Sequence, residues 1–201
     1  MSTSDVQVQE SAQAVLDRRM GRNVRDGYEV QRHSGIEWIG RLPDHWTIRP
    51  LKSACTSVIR KEPDGWRPYL SLEHIESGAG RLVPGFEPEE QACQDNVLFE
   101  PGDVLFGKLR PYLSKSLLAD LKGCCPTELL VLRAHEGVLY PEFLRYLTLS
   151  DPFVSVANAS AYGVKMPRTS WDILGSQPFP IPPLDEQRAI AAFLDRETAK
   201  I

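Results

Sequence analysis

Residues 102–115 read GDVLFGKLRPYLSK, and the character of the chain turns on how this stretch is understood. Its first half, DVLFGKL at 103–109, is a short apolar run of the kind that forms a β-strand. Its second half places Lys108, Arg110 and Lys115 among the aromatics Phe106 and Tyr112, beside a proline that stiffens the turn. Two readings are open here. In one, the cations contact the phosphates or bases of a nucleic acid. In the other, Val104, Phe106 and Leu109 are core, and the cations solvate the end of a strand.

Moving toward the C-terminus, ELLVLR at 128–133 predicts a further strand. Pro141 suits a first helical position, and Phe143, Leu144 and Leu147 recur at the spacing of one buried helix face, with a stop near Asp151-Pro152. YGVKMPR at 162–168 puts Lys165 and Arg168 on a glycine- and proline-containing loop, which by itself is a weak signal. Residues 170–174 suggest a short helix, and the prolines of PFPIPP at 178–183 demand an extended strap. From Asp185 onward, EQRAIAAFLDRETAKI is strongly helical, with Ile190, Phe193, Leu194 and Ile201 on one side. No glycine or proline closes this pattern, so it reads as the start of a longer helix.

Moving the other way, YLSLEHI at 69–75 has strand-like alternation and runs into the turn Ser77-Gly78-Ala79-Gly80, with a second strand expected at 81–83. Trp38, Ile39, Trp46 and Ile48, separated by Pro43-Asp44, anchor the start of an ordered block at residue 34. Residues 1–33 are polar and charge-mixed and are expected to be a weakly ordered lead-in.

A length of 201 residues suits one domain with one core, and 42% hydrophobic with 25% charged residues is ordinary for a globular protein. No apolar run approaches the roughly 20 residues of a membrane span, and MSTSDVQVQESAQ lacks the features of a signal peptide, so a cytoplasmic location is expected. Cys55, Cys93, Cys124 and Cys125 contain no C-x-x-C pair and read as buried thiols.

The net charge of -4 does not itself point to nucleic acid, but its distribution matters. Residues 41–81 carry seven Lys/Arg against five Asp/Glu, and residues 103–168 carry eight against six. The acidity concentrates at 82–102, with five acids and no base, which reads as one surface loop.

Catalytic patterns are weak throughout. Phosphate-loop and dinucleotide glycine spacings are missing, so no cofactor is expected. Pro63-Asp64 and Asp120-Leu121-Lys122 imitate a nuclease metal site only across a long gap, and no metal is expected. His33, His45, His74 and His135 are scattered, with no nucleophile motif near them. Ser150-Asp151-Pro152-Phe153 has one proline too few for an amino-methyltransferase motif. No catalytic residue is assigned.

Taken together, SGIEWIGRLPDHW, YLSLEHIESGAGRL, GDVLFGKLRPYLSK, GVKMPRTSWDIL and PFPIPPLDEQRAIAAFLD occur in an order that resembles the target-recognition domain of type I restriction-modification specificity subunits. The resemblance spans residues 34–201. It implies an α+β domain at 34–183, with a mixed curved sheet, flanking helices, and the start of a long spacer and assembly helix at 184–201. It implies a non-catalytic part of a restriction system that binds double-stranded DNA and docks DNA methyltransferase subunits, a restriction subunit and a second half-subunit.

On this resemblance Lys108, Arg110, Lys115, Lys165 and Arg168 are assigned to phosphate contact, and base readers are expected in the segments 60–67 and 121–127. Ile190, Phe193, Leu194 and Ile201 become the assembly face. The alternatives are a methyltransferase-docking module that does not engage DNA, which the net charge favours slightly, and a metal-dependent nuclease.

Overall fold

Two apolar runs form the middle of the molecule, as shown by a computed structural model that describes residues 31–62 and 64–200. They are β8 (Val104–Gly107) and β11 (Leu129–Ala134), paired antiparallel. β4 (Cys55–Val58) flanks β11 and β9 (Ser116–Leu118) flanks β8, giving the order β4-β11-β8-β9. Side chains alternate between the faces of a strand, so each central strand feeds two cores. Val104, Phe106, Leu130 and Leu132 enter one, while Leu105, Leu129 and Val131 enter the other. The single core expected from length is thus split by the sheet into two layers. Burial on both faces explains why these strands read as continuous apolar runs.

The first layer is covered by helices α1 (Pro141–Leu149), α2 (Asp151–Ala159) and α3 (Trp171–Leu174), and by β12 (Pro178–Ile181). Phe153 stands at its centre, with ring centroids 5.0 Å from Phe106 and 5.1 Å from Phe179. Helices gathered on one face of an antiparallel sheet make the fold α+β, as the sequence implied.

The second layer is closed by short ribbons. β5 (Trp66–Pro68) pairs with β6 (Glu90–Ala92), and β7 (Val97–Phe99) pairs with β10 (Gly123–Cys125). Elsewhere β1 (Gln31–His33) pairs with β2 (Arg41–Pro43), so the ordered block already includes residues 31–33 of the expected lead-in. Residues 1–30 and Ile201 lie outside the described residues.

β3 (Thr47–Pro50) pairs with the proline strap β12. Pro178 and Pro180 alternate, so their missing donors share one side of the strand, while Phe179 and Ile181 keep theirs for β3.

Several expectations need correction. YLSLEHI is not a strand beyond the bridge from Tyr69 to Cys124, because a 3₁₀ turn occupies Leu72–His74. Ser71 and His74 cap it reciprocally, with the Ser71 amide donating to His74 Nδ1 at 3.1 Å. Residues 81–83 likewise keep only the Ile75–Leu82 bridge. The acidic 82–102 stretch is not one surface loop, since it contains the exposed β6 and the fully buried β7. Strands of three residues are too short to show a period. Asp151-Pro152 ends one helix but also opens the next, where the Ser150 hydroxyl accepts from the Phe153 amide.

The four cysteines are buried free thiols, as the sequence suggested. Burial pushes Cys55 up to about 12 and raises Cys124 and Cys125 as well.

The last element, α4 (Leu184–Thr198), is tied down by its first turn. Glu186 accepts from the Trp46 indole at 2.9 Å and contacts His45. Gln187 is completely buried: its Oε1 accepts from the Tyr140 amide at 2.7 Å, and its Nε2 donates to the carbonyls of Val138 at 3.0 Å and Pro182 at 2.8 Å. Gln187→Ala strands these backbone groups and is expected to cost about 2–3 kcal/mol, because an unsatisfied buried polar group costs roughly 1–3 kcal/mol. Urea unfolding should show a lower midpoint with an unchanged slope. An unchanged midpoint would deny Gln187 this role.

Candidate nucleic-acid interface

The basic segment begins where β8 leaves the sheet. Gly107 donates its amide to the Lys115 carbonyl at 2.8 Å, and a Cβ there would lie 2.7 Å from Leu72 Cδ2, so glycine permits the close approach. Upstream, buried Asp103 accepts both Arg133 Nε and Nη2 at 2.7 Å and the Glu100 amide at 2.8 Å. That ion pair holds the Arg133 guanidinium above its usual range. Downstream, Arg110 (φ 51, ψ 62) and Ser114 (φ 48, ψ 44) take left-handed conformations on either side of the 3₁₀ turn Pro111–Leu113. Non-glycine residues held in that region are uncommon and concentrate at functional sites.

The second basic segment is stitched onto the first. Leu109 and Arg168 form an antiparallel bridge, the Arg110 amide donates to the Pro167 carbonyl at 2.8 Å, and the Thr169 amide donates to the Lys108 carbonyl at 3.0 Å. Tyr162 and Arg168 exchange two backbone hydrogen bonds of 2.9 Å, which closes residues 162–168 into a hairpin-like loop. The structure therefore brings Lys108, Arg110, Lys165 and Arg168 into one connected unit from sequence positions more than 50 apart.

Arg110, Lys165 and Arg168 are exposed and Lys108 is half-buried. Among the described residues, Arg110 and Lys165 form no side-chain ion pair, while Arg168 reaches Glu128 only at 3.9 Å. Lys115 differs: its ammonium donates to the Leu72 carbonyl at 2.7 Å, and burial lowers its pKa against the opposing pull of Glu73. One of its donors is committed to holding the Leu72 turn against β9.

The expected base-reading segments fare unequally. In 60–67, Arg60, Lys61, Asp64 and Trp66 are exposed, whereas Arg67 is taken up by Glu62, with its Nε at 3.1 Å. In 121–127, Gly123–Cys125 is the buried strand β10, where a Cβ on Gly123 would sit 2.5 Å from the Pro68 carbonyl. Those residues cannot reach a base, and Lys122 is paired with Glu100 at 3.1 Å.

Residues 55–201 match the family profile described as type I restriction modification DNA specificity domain. The chain belongs to that family. The specificity domain is 27% identical over 124 residues to the type I restriction enzyme EcoDI specificity subunit of Escherichia coli, covering 61% of this chain and 27% of that protein. It is 23% identical over 169 residues to the MjaVIII specificity subunit of Methanocaldococcus jannaschii, covering 77% and 36%.

Among solved structures, the HsdS subunit from Thermoanaerobacter tengcongensis superposes with a TM-score of 0.66 at 30% identity, covering 77% of this chain and 42% of that one. A chain from a structure of complex assembly and conformational transition in the type I R-M system gives 0.68 at 30% identity, with 79% and 43% covered. The chain thus spans less than half the length of each of these relatives.

In the specificity domain the expected assembly residues lie on α4 against α1. Leu194 is buried with Ala191 and Tyr146, while Ile190 and Phe193 are half-buried and Ile201 lies outside the described residues. Asp195 receives the Tyr146 hydroxyl at 2.7 Å and pairs with Arg145. The first turns of this helix are therefore fastened to their own domain. Sequence reasoning singled out Tyr112 but missed the other exposed apolar side chains beside the cations, namely Tyr162, Val164 and Met166. The only signal was their position inside the basic segments.

Among the described residues, no group of His, Cys, Asp or Glu could hold a metal ion, and no helix is long and apolar enough to cross a membrane.

Proposed function

We propose that this specificity domain binds double-stranded DNA through the stitched surface of Lys108, Arg110, Lys165 and Arg168, with Lys115 at its edge, and directs methyltransferase and restriction subunits to a target sequence. The observation that carries the reading is the backbone pairing of the two basic segments. It holds the backbone that carries the four cations in one unit, so that no loop has to be ordered when they meet a phosphate backbone. Exposed Arg60, Lys61 and Trp66 are suited to reading base edges. The half-buried Ile190 and Phe193 leave apolar surface for a methyltransferase subunit or a second half-subunit. No residue is assigned a catalytic step, and no cofactor is assigned.

Arg110→Ala tests the phosphate assignment. All duplexes should bind more weakly by a similar factor, and the salt slope should fall by about 1, since each neutralised phosphate contributes roughly 0.9. Arg110→Gly, which accepts φ 51 without strain, should behave alike and guards against a folding defect. Loss confined to one base position would make Arg110 a base reader instead.

A further inference from the structure

The Tyr162–Arg168 loop carries an apolar tip that no fold requirement explains. Val164 is fully exposed, and Met166 and Tyr162 are 46% and 63% exposed. An apolar tip on a rigid stem, flanked by cations, marks a contact surface rather than a scattered exposed residue. The stem is closed by the paired backbone bonds of Tyr162 and Arg168 and anchored by the Arg110 amide on Pro167. Gly163 turns the chain at φ 95. Residues 162–168 contain no acid; Lys165 and Arg168 lie within the loop, Arg110 is joined to its stem through the Pro167 carbonyl, and Glu128 comes within 3.9 Å of Arg168.

A hairpin of this kind is admitted by the major groove, about 12 Å wide, and not by the minor groove, about 6 Å wide. The apolar feature that the major groove offers is the C5-methyl group of thymine. Resting on the DNA-binding reading above, we propose that the Tyr162–Arg168 loop enters the major groove and that Val164 and Met166 recognise thymine methyl groups. The positive charge of the loop selects DNA over an apolar protein partner, because Lys165 and Arg168 lie in the loop itself and Arg110 on the segment bonded to its stem.

The test removes only the methyl. The probe is the duplex pool that this chain retains from a random library at low salt, resynthesised with deoxyuridine in place of thymidine. A buried methyl contributes about fourfold in affinity, so the unaltered chain should prefer the thymidine pool by about fourfold or more. The double variant Val164→Ser, Met166→Ser should show a ratio near one, with an unchanged salt slope. Val164 is solvent-exposed, and an unchanged thermal midpoint will show that the variant folds. Equal binding of both pools by the unaltered chain, or a variant that keeps the original ratio, would overturn the methyl assignment alone. Failure to retain any duplex would overturn the DNA-binding reading with it.

Discussion

Phe153→Ala is expected to lower the unfolding free energy by about 3–5 kcal/mol, the usual cost of deleting a fully buried phenylalanine. Phe153 has no exposed surface and touches both partners of the central aromatic group, Phe106 from the sheet and Phe179 from the proline strap. No single neighbour can relax into the space, because one partner is fixed by the strand ladder and the other by the β3 pairing. Tyr112→Ala, at a half-exposed ring, should stay within about 0.5 kcal/mol. Chemical denaturation of both variants compares them directly. A Phe153→Ala cost below about 1 kcal/mol would mean that α2 is not packed on the sheet.

The second large effect is on binding. Arg110→Glu combined with Lys165→Glu should weaken duplex binding by about a hundredfold or more at low salt, because two charge-assisted contacts worth roughly 1.5–3 kcal/mol each are lost. Repulsion from the new carboxylates adds to the loss. The same reversal at Lys52, an exposed lysine outside the stitched unit, should change binding far less. Both residues point to solvent, so the thermal midpoint should hold. A double reversal no worse than Lys52→Glu in fluorescence anisotropy titrations would place any DNA surface elsewhere.

How much of this was legible in the sequence depended on the length of each element. The strands at 104–107 and 129–134 declared themselves because the first is buried throughout and the second over 129–132, and the apolar runs there are unbroken. The Pro141 helix and the final helix were legible from their period, and the proline strap from its missing donors. The helix carrying Phe153 was hidden because Asp151-Pro152 looks like a terminator, and its role as an opening turn depends on the Ser150 cap. YLSLEHI looked like a strand because alternation cannot register that Ser71 and His74 prefer to cap each other.

At the site, the cations could be picked from the sequence but their connection could not. Nothing in GKLRP or VKMPR announces the Leu109–Arg168 bridge, a long-range pairing of single residues. Lys115 looked equivalent to Arg110 until its ammonium was found on the Leu72 carbonyl. The 121–127 segment was expected to hold base readers, yet Gly123–Cys125 is a core strand.

Sequence recognition by the chain itself is tested most directly by selection. The full chain is incubated at low salt with a random duplex library, and the retained duplexes are sequenced before and after the Arg110→Glu, Lys165→Glu change. Enrichment of one short motif by the unaltered chain, lost in the reversed variant, is the predicted result. A retained pool indistinguishable from the input, or no retention at all, would contradict it and leave the domain as a protein-docking module.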